Sequence, residues 1–328
     1  MKIIVIGLGS MGKRRINLIS KYYNNKIELV GIDNNERRRL EVEEKFNIKT
    51  FSSIEDAITI FNPIAAFICT SPINHSNLIM ECLSRKLHIF TEINLLKDRY
   101  DEIIKLSKQE SLKLFLSSTF LYRKEIQFIG KEVNKNSKKI NYRYHVGQYL
   151  PDWHPWENIK DFFVSDKRTN GCRELFAIEM PWIIDTFGKV KVISVMKDNI
   201  SSLNLGFPDS YIVTLGHESG HKGVISVDIV SRKAIRNLEI YGEDLHLFWN
   251  GTPDSLMRYD IETKEIINIE TYGKIDKDSR YADNIIENAY LEEIETFIKI
   301  INGEKALERY SFEQDIYTLD LIDRIEGV

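Results

Sequence analysis

The chain has 328 residues, 43% of them hydrophobic and 29% charged, with a net charge of −4. With 16 Phe, 15 Tyr and 4 Trp it carries too many aromatics for a disordered chain, and the length suits two domains of ordinary size. The small acidic excess offers no global positive field to nucleic acid or an acidic membrane. The longest apolar runs fall far short of the roughly 20 residues that a membrane helix needs.

In chain order, Lys2–Ile6 is a short apolar run ending in glycines, as a buried parallel strand would be. Gly7, Gly9, Ser10 and Gly12 break the apolar stretch too early for a signal peptide. A helix is predicted from about Met11 to Tyr23, then a strand at Lys26–Ile32, a helix at Glu36–Phe46 and a strand at Lys49–Phe51. Ser53 caps a helix over Ile54–Ile60. Strands at Ala65–Cys69, His88–Phe90 and Leu112–Ser117 alternate with helices at Asn74–Ser84 and Asp98–Glu110, which indicates a doubly wound parallel sheet. After residue 120 the pattern changes. Alternating strand-like runs at Lys139–Gln148, Val190–Lys197, Ser210–Leu215, Gly223–Val230, Asn237–Tyr241 and Asp244–Trp249 predict an antiparallel meander, with helices at Arg173–Phe187, Ile285–Ile301 and Ser311–Arg324. The expected organisation is a dinucleotide-binding α/β domain over residues 1–120 and an α+β domain over 121–328. The three cysteines, Cys69, Cys82 and Cys172, have no metal-like spacing and suit a reducing cytoplasm.

Gly7-Leu8-Gly9-Ser10-Met11-Gly12 is a G-x-G-x-x-G placed between a strand and a helix. The first glycine permits the tight turn, the second lets a pyrophosphate approach the backbone, and the third allows close helix–strand packing. The phosphates would sit on the helix N-terminus. Asp33 ends the second strand, 21 residues after Gly12, where an acid accepts hydrogen bonds from the adenine ribose. Its charge would repel a 2′-phosphate, which favours NAD over NADP, although Arg37, Arg38 and Arg39 follow closely.

The run AAFICTSPINHSNLIMECLSRKLHIFTEINL (Ala65–Leu95), taken with Gly7–Gly12 and Asp33, resembles the glucose-fructose oxidoreductase/inositol dehydrogenase (Gfo/Idh/MocA) family. The resemblance implies a Rossmann domain followed by an α+β domain with an open, mostly antiparallel sheet, which also serves self-association. It further implies that Thr70, Ser71, Pro72 and His75 line the nicotinamide side of the cofactor, that Glu92 touches the nicotinamide ribose region, and that substrate lies between the ring and the open sheet. The chain departs from the family where Glu92-Ile93-Asn94 replaces the usual Glu-Lys-Pro. It also lacks the family's helix histidine, because Ile178 or Glu179 stands about ten residues before Gly188 and no histidine lies between His154 and His217.

Three residues are candidates for the missing proton acceptor: Glu179, Glu174 and His154. His154 belongs to Gly147–Trp156 (GQYLPDWHPW), which resembles a run in a sugar-related subset of the family. Trp153 suits the apolar face of a sugar. Arg123 and Arg173 are further candidates for substrate contact. His217-Glu218-Ser219-Gly220-His221 spaces two histidines as on a metal-binding helix, but its glycines predict a hairpin turn, so no metal is expected. These readings point to a cytoplasmic, homo-oligomeric NAD-dependent oxidoreductase acting on a hydroxyl of a sugar or nucleotide sugar. Two alternatives remain open: an NAD- or sugar-binding sensor that has lost hydride transfer, and a non-redox lyase or hydrolase using tightly held NAD.

Overall fold

Ile3, Ile4 and Val5 have no exposed surface. An unbroken β-branched run fits a strand covered on both faces, and β1 (Lys2–Ile6) pairs on each side with a parallel neighbour. The computed structural model describes residues 1–24, 26–153, 163–277 and 285–328. From β1 the chain continues through α1 (Ser10–Tyr23), β2 (Glu28–Ile32), α2 (Glu36–Phe46), β3 (Lys49–Phe51), α3 (Ile54–Phe61), β4 (Ala65–Ile68), α4 (Pro72–Ser84), β5 (His88–Thr91), α5 (Tyr100–Gln109) and β6 (Leu114–Leu116). The strands form a parallel sheet ordered β3-β2-β1-β4-β5-β6. Its order reverses between β1 and β4, the switch point where open α/β sheets bind ligands beyond their strand ends. Local chemistry sets the helix starts: the Asn35 side chain accepts from Arg38 N, and that of Ser53 from Asp56 N.

The second sheet is ordered β14-β13-β12-β11-β7-β10-β9-β8. Its strands are β7 (Asn141–Gly147), β8 (Val190–Asp198), β9 (Ser210–His217), β10 (Lys222–Asp228), β11 (Ile235–Tyr241), β12 (His246–Trp249), β13 (Met257–Tyr259) and β14 (Ile266–Asn268). Pairing is antiparallel except between β7 and β10. Along β7, Tyr142, Tyr144 and Val146 are buried while Asn141 and Arg143 are exposed, so one face is covered. The cover is α7 (Gly171–Phe187): Tyr142 stacks on Phe187 at 4.1 Å and Tyr144 meets Trp182 edge-on at 5.4 Å. The helix α6 (Lys124–Lys135) precedes this sheet, and α8 (Glu287–Ile301) and α9 (Phe312–Glu326) follow it.

Contacts divide the chain into two compact units, residues 1–118 with 290–316 and residues 119–289 with 317–328. The expected division at residue 120 includes the first crossing and omits the return of 290–316. Phe67, Phe90 and Phe115 stack across β4, β5 and β6, and Phe297 of α8 covers them, 5.4 Å from Phe67 and 5.7 Å from Phe90. Three adjacent aromatics on one sheet face require a cover, and Phe297, 182 positions after Phe115, supplies it. Among the described residues no helix is long and apolar enough to cross a membrane.

Candidate functional site

At the switch point, Gly7 adopts φ +90° and its N–H donates to Ile32 O at 2.8 Å, turning the chain out of β1. A Cβ on Gly12 would lie 1.9 Å from Gly7 O, so only glycine lets α1 start this close to the strand. A Cβ on Gly9 would meet nothing within 4 Å. Gly9 is the N-cap of α1, contributes no side-chain cap, and precedes a first turn with no acidic residue. Exposed Ser10 and half-buried Met11 follow it. Open space faces the N-terminus of α1 here, which fits a pyrophosphate. Asp33 is 8% exposed; its Oδ2 accepts from Leu8 N and its Oδ1 from Asn35 N, each at 2.8 Å. Two bonds leave a carboxylate room for ribose hydroxyls. Arg39 donates to the Asp33 carbonyl at 2.8 Å, and the Arg38 guanidinium lies 3.8 Å from Asp33 Oδ2.

Across the switch point the β4–α4 turn carries half-buried Thr70 and Ser71, with Pro72 opening α4. His75 is 1% exposed, with Nε2 at 2.9 Å from Thr70 O and Nδ1 at 2.6 Å from Asn94 Oδ1. Burial pushes its pKa down. Glu92, expected near the nicotinamide ribose, accepts from Arg15 at both oxygens, at 2.6 and 3.2 Å. Arg15 also holds Glu293 of α8 at 2.7 Å, and Ser117 and Ser118 N donate to that second carboxylate. No local sequence signal marks this cluster, because 278 positions separate Arg15 from Glu293.

The second unit holds the candidate proton acceptors. Glu179 is fully buried on α7 and accepts from Tyr144 Oη at 2.8 Å, Trp182 Nε1 at 2.7 Å and Arg236 Nε at 2.8 Å. Sequence reading passed over Arg236 and Tyr144, which only the pairing of β11 with β7 brings beside α7. Glu174 lies on the same helix, five positions earlier and so about 140° round it. Its Oε2 is buried without a hydrogen-bond partner, and burial pushes the carboxyl up to about 7. His154 lies outside the described residues.

The arginines expected at the substrate have structural partners. Arg123 is 2% exposed, and its Nη2 donates to Glu125 Oε1 at 2.5 Å and to Gly251 O at 2.9 Å. Arg173 is held by Asp323, at 2.7 Å, and by Glu326, both on α9. Trp153 is half-buried, its ring close to Gly171 at the start of α7. His217 and His221 flank a turn between β9 and β10 with Gly220 at φ +87°. Among the described residues no group of three or more His, Cys, Asp or Glu could hold a metal ion.

Residues 1–115 match the model of an oxidoreductase family with an NAD-binding Rossmann fold, GFO_IDH_MocA. Over 322 residues the chain is 24% identical to the myo-inositol 2-dehydrogenase of Thermotoga maritima, covering 92% of this chain and 89% of that protein. Among solved structures, a putative NADPH-dependent oxidoreductase from Desulfitobacterium hafniense has a TM-score of 0.82 at 11% identity, covering 98% of this chain and 93% of that one. A UDP-N-acetylglucosamine 3-dehydrogenase from Acidithiobacillus ferrooxidans has a TM-score of 0.75 at 14% identity, covering 100% and 96%. At such identities the two structures speak to fold alone. Residues 1–115 are thus similar to the NAD-binding Rossmann fold of that oxidoreductase family, and the likeness to the dehydrogenase runs through the second unit as well.

Proposed function

We propose that the protein is a cytoplasmic NAD-dependent dehydrogenase that oxidises a hydroxyl of a sugar or nucleotide sugar, with Glu174 as proton acceptor. The observation that carries this reading is the buried, unpartnered Oε2 of Glu174, held near neutral pKa on α7. A carboxyl in that range is half ionised at working pH, as general-base catalysis favours. Glu179 would have to give up bonds from Tyr144, Trp182 or Arg236 to take a proton, so it serves better as the fixed partner of Arg236. When bound, NAD supplies the hydride acceptor. Gly9 and the first turn of α1 would carry its pyrophosphate, Asp33 its adenine ribose, and the Thr70–Pro72 turn its nicotinamide end. Relatives named for oxidising inositol and UDP-N-acetylglucosamine support a polyhydroxylated substrate. Three free, buried cysteines support a reducing compartment.

The test incubates purified protein with NAD and a panel of cyclitols, sugars and nucleotide sugars while NADH absorbance is followed. Reduction by at least one compound is expected. Silence across the panel, together with no NADH-dependent reduction of ketosugars, would sink the assignment. A second reading, a cofactor-binding sensor without turnover, is favoured by Ile93 in place of the family's lysine. NAD binding with no turnover would establish it.

A further inference from the structure

The loops that follow β7 and β10 carry groups that the proposed reaction leaves unused, and their roots are fixed. Asp228 Oδ1 accepts from Val230 N at 3.0 Å and from Ser231 N at 2.7 Å, while its Oδ2 lies 2.7 Å from His145 Nε2. Gln148 N and Leu150 N donate to the carbonyls of Asp228 and Ile229, at 3.2 and 2.9 Å. A Cβ on Gly147 would fall 2.6 Å from both Asp228 Oδ2 and Ser231 Oγ, so this close approach of the two loops needs glycine.

The tight turn Leu150–Asp152 gives the first loop two sides, because residues three apart eclipse in a 3₁₀ turn. Leu150 and Trp153 make one side, and both reach within 3.5 Å of where a Cβ on Gly171 would stand, at the start of α7. Glu174, the proposed base, follows three positions later, a neighbour on that helix surface. Tyr149 belongs to the other side, and the Arg232 guanidinium lies over its ring, 3.7 Å from the centroid. Arg232 and Lys233 are exposed, and neither has a hydrogen bond or ion pair among the described residues. The nearby acids do not claim Arg232: Asp228 is buried under the bonds above, and exposed Asp152 makes no ion pair with it. Stacking holds the guanidinium flat and leaves its N–H fork to solvent. An arginine fixed in this way without a carboxylate is prepared to meet an anion.

We propose that Arg232, braced by Tyr149, binds a negative charge of the substrate, a phosphate or a carboxylate, beside the end of α7 that carries Glu174. The proposal rests on the dehydrogenase reading only in calling that anion substrate. Such a charge separates nucleotide sugars and sugar acids from neutral sugars and cyclitols, so Arg232 is a specificity-determining residue. A guanidinium suits either anion because its paired N–H groups match two oxygens at once.

The experiment titrates the purified protein calorimetrically, with and without saturating NAD, using UDP, glucuronate and myo-inositol as diphosphate, carboxylate and neutral control. At least one of the two anions should bind the parent, and Arg232→Gln should weaken that binding about tenfold, the scale of a hydrogen bond to a charged group. Tyr149→Leu should weaken it several-fold, whereas Tyr149→Phe keeps the ring and should bind as the parent does. Response to UDP alone identifies a nucleotide sugar, and response to glucuronate alone a sugar acid. No binding of either anion would overturn the proposal, as would binding that Arg232→Gln leaves unchanged, which is what UDP held by the Rossmann phosphate turn would show. An equal loss of myo-inositol would overturn it too, because Arg232 would then act on the loop's shape and not through its charge. Arg232-dependent anion binding in a protein that reduces NAD with no compound would uphold the site and overturn the dehydrogenase reading instead.

Discussion

Asp33 accepts backbone bonds from Leu8 and Asn35, so it shapes the glycine turn as well as offering the carboxylate proposed to read the ribose. Asp33→Ala should weaken NAD binding about tenfold, the loss of ribose hydrogen bonds to a charged group, and should narrow the preference over NADP. Isothermal titration with both cofactors checks this. Equal affinities in the parent would mean that Arg38, 3.8 Å away, had already offset the carboxylate. Glu174 makes a different demand. As a base it must be ionised, so the parent's activity should rise with pH through about 7, its folded value. Glu174→Gln should bind NAD normally and turn over roughly 10²–10⁴ times more slowly. Stability gives an independent reading with a fixed sign. Between the ordinary 4.5 and the folded 7 the native protein holds this proton and the unfolded chain does not, so this contribution falls as pH rises through the window. The glutamine variant lacks that loss. Its melting temperature should gain on the parent's as pH rises to about 7 and hold steady beyond, and a gap that does not change with pH would contradict the burial of an unpaired carboxyl.

The glycine turn that opens α1, the proposed phosphate site, separates two roles for glycine. A methyl on Gly9 enters open space, whereas one on Gly12 strikes the Gly7 carbonyl. Gly9→Ala should therefore melt within a degree or two of the parent yet bind NAD less well, because the methyl occupies the pyrophosphate's approach. Gly12→Ala should lower the melting temperature by several degrees and lose binding with it, since α1 must move off β1. Scanning calorimetry with and without NAD separates the two, and equal melting losses would refute the distinction. These elements were legible in the sequence because their signals are local. Asn35 and Ser53 cap, Asn47 and Asn62 close helices in the left-handed region, and β-branched runs mark buried strands. The helix α6 was missed although Ile126, Ile129 and Val133 are buried at helical spacing, because Lys and Asn crowd the same stretch. The short β13 and β14 alternate over only three residues each, too few to register. What stayed hidden were pairings over distance. Glu92 and Glu179 read as candidate site carboxylates, but Arg15 and Arg236, which occupy them, lie 77 and 57 positions away.

At the scale of the whole molecule, the face of the second sheet turned away from α7 carries an exposed apolar strip. Met196 of β8 lies directly opposite Ile212 of β9, and Val224 of β10 opposite Thr214, with 66%, 44% and 42% of the three apolar residues exposed. Val192 extends the strip along β8 at 60% exposure. Monomers seldom leave contiguous apolar patches of this kind in water, and a two-fold interface would cover the same strip on both copies at once. The protein is therefore expected to elute as a dimer or larger assembly when light scattering measures its mass. Symmetry makes the disruptive substitution efficient: Ile212→Asp places a carboxylate in the interface from each copy, and two like charges brought out of water together oppose association twice over. Ile212 is not part of the buried face against α7, so the variant should keep the parent's circular dichroism and melt cooperatively. Its mass should fall to the 38.3 kDa of one chain. A parent that is already monomeric at micromolar concentration would show that the strip tolerates water and that the sheet is not an assembly surface.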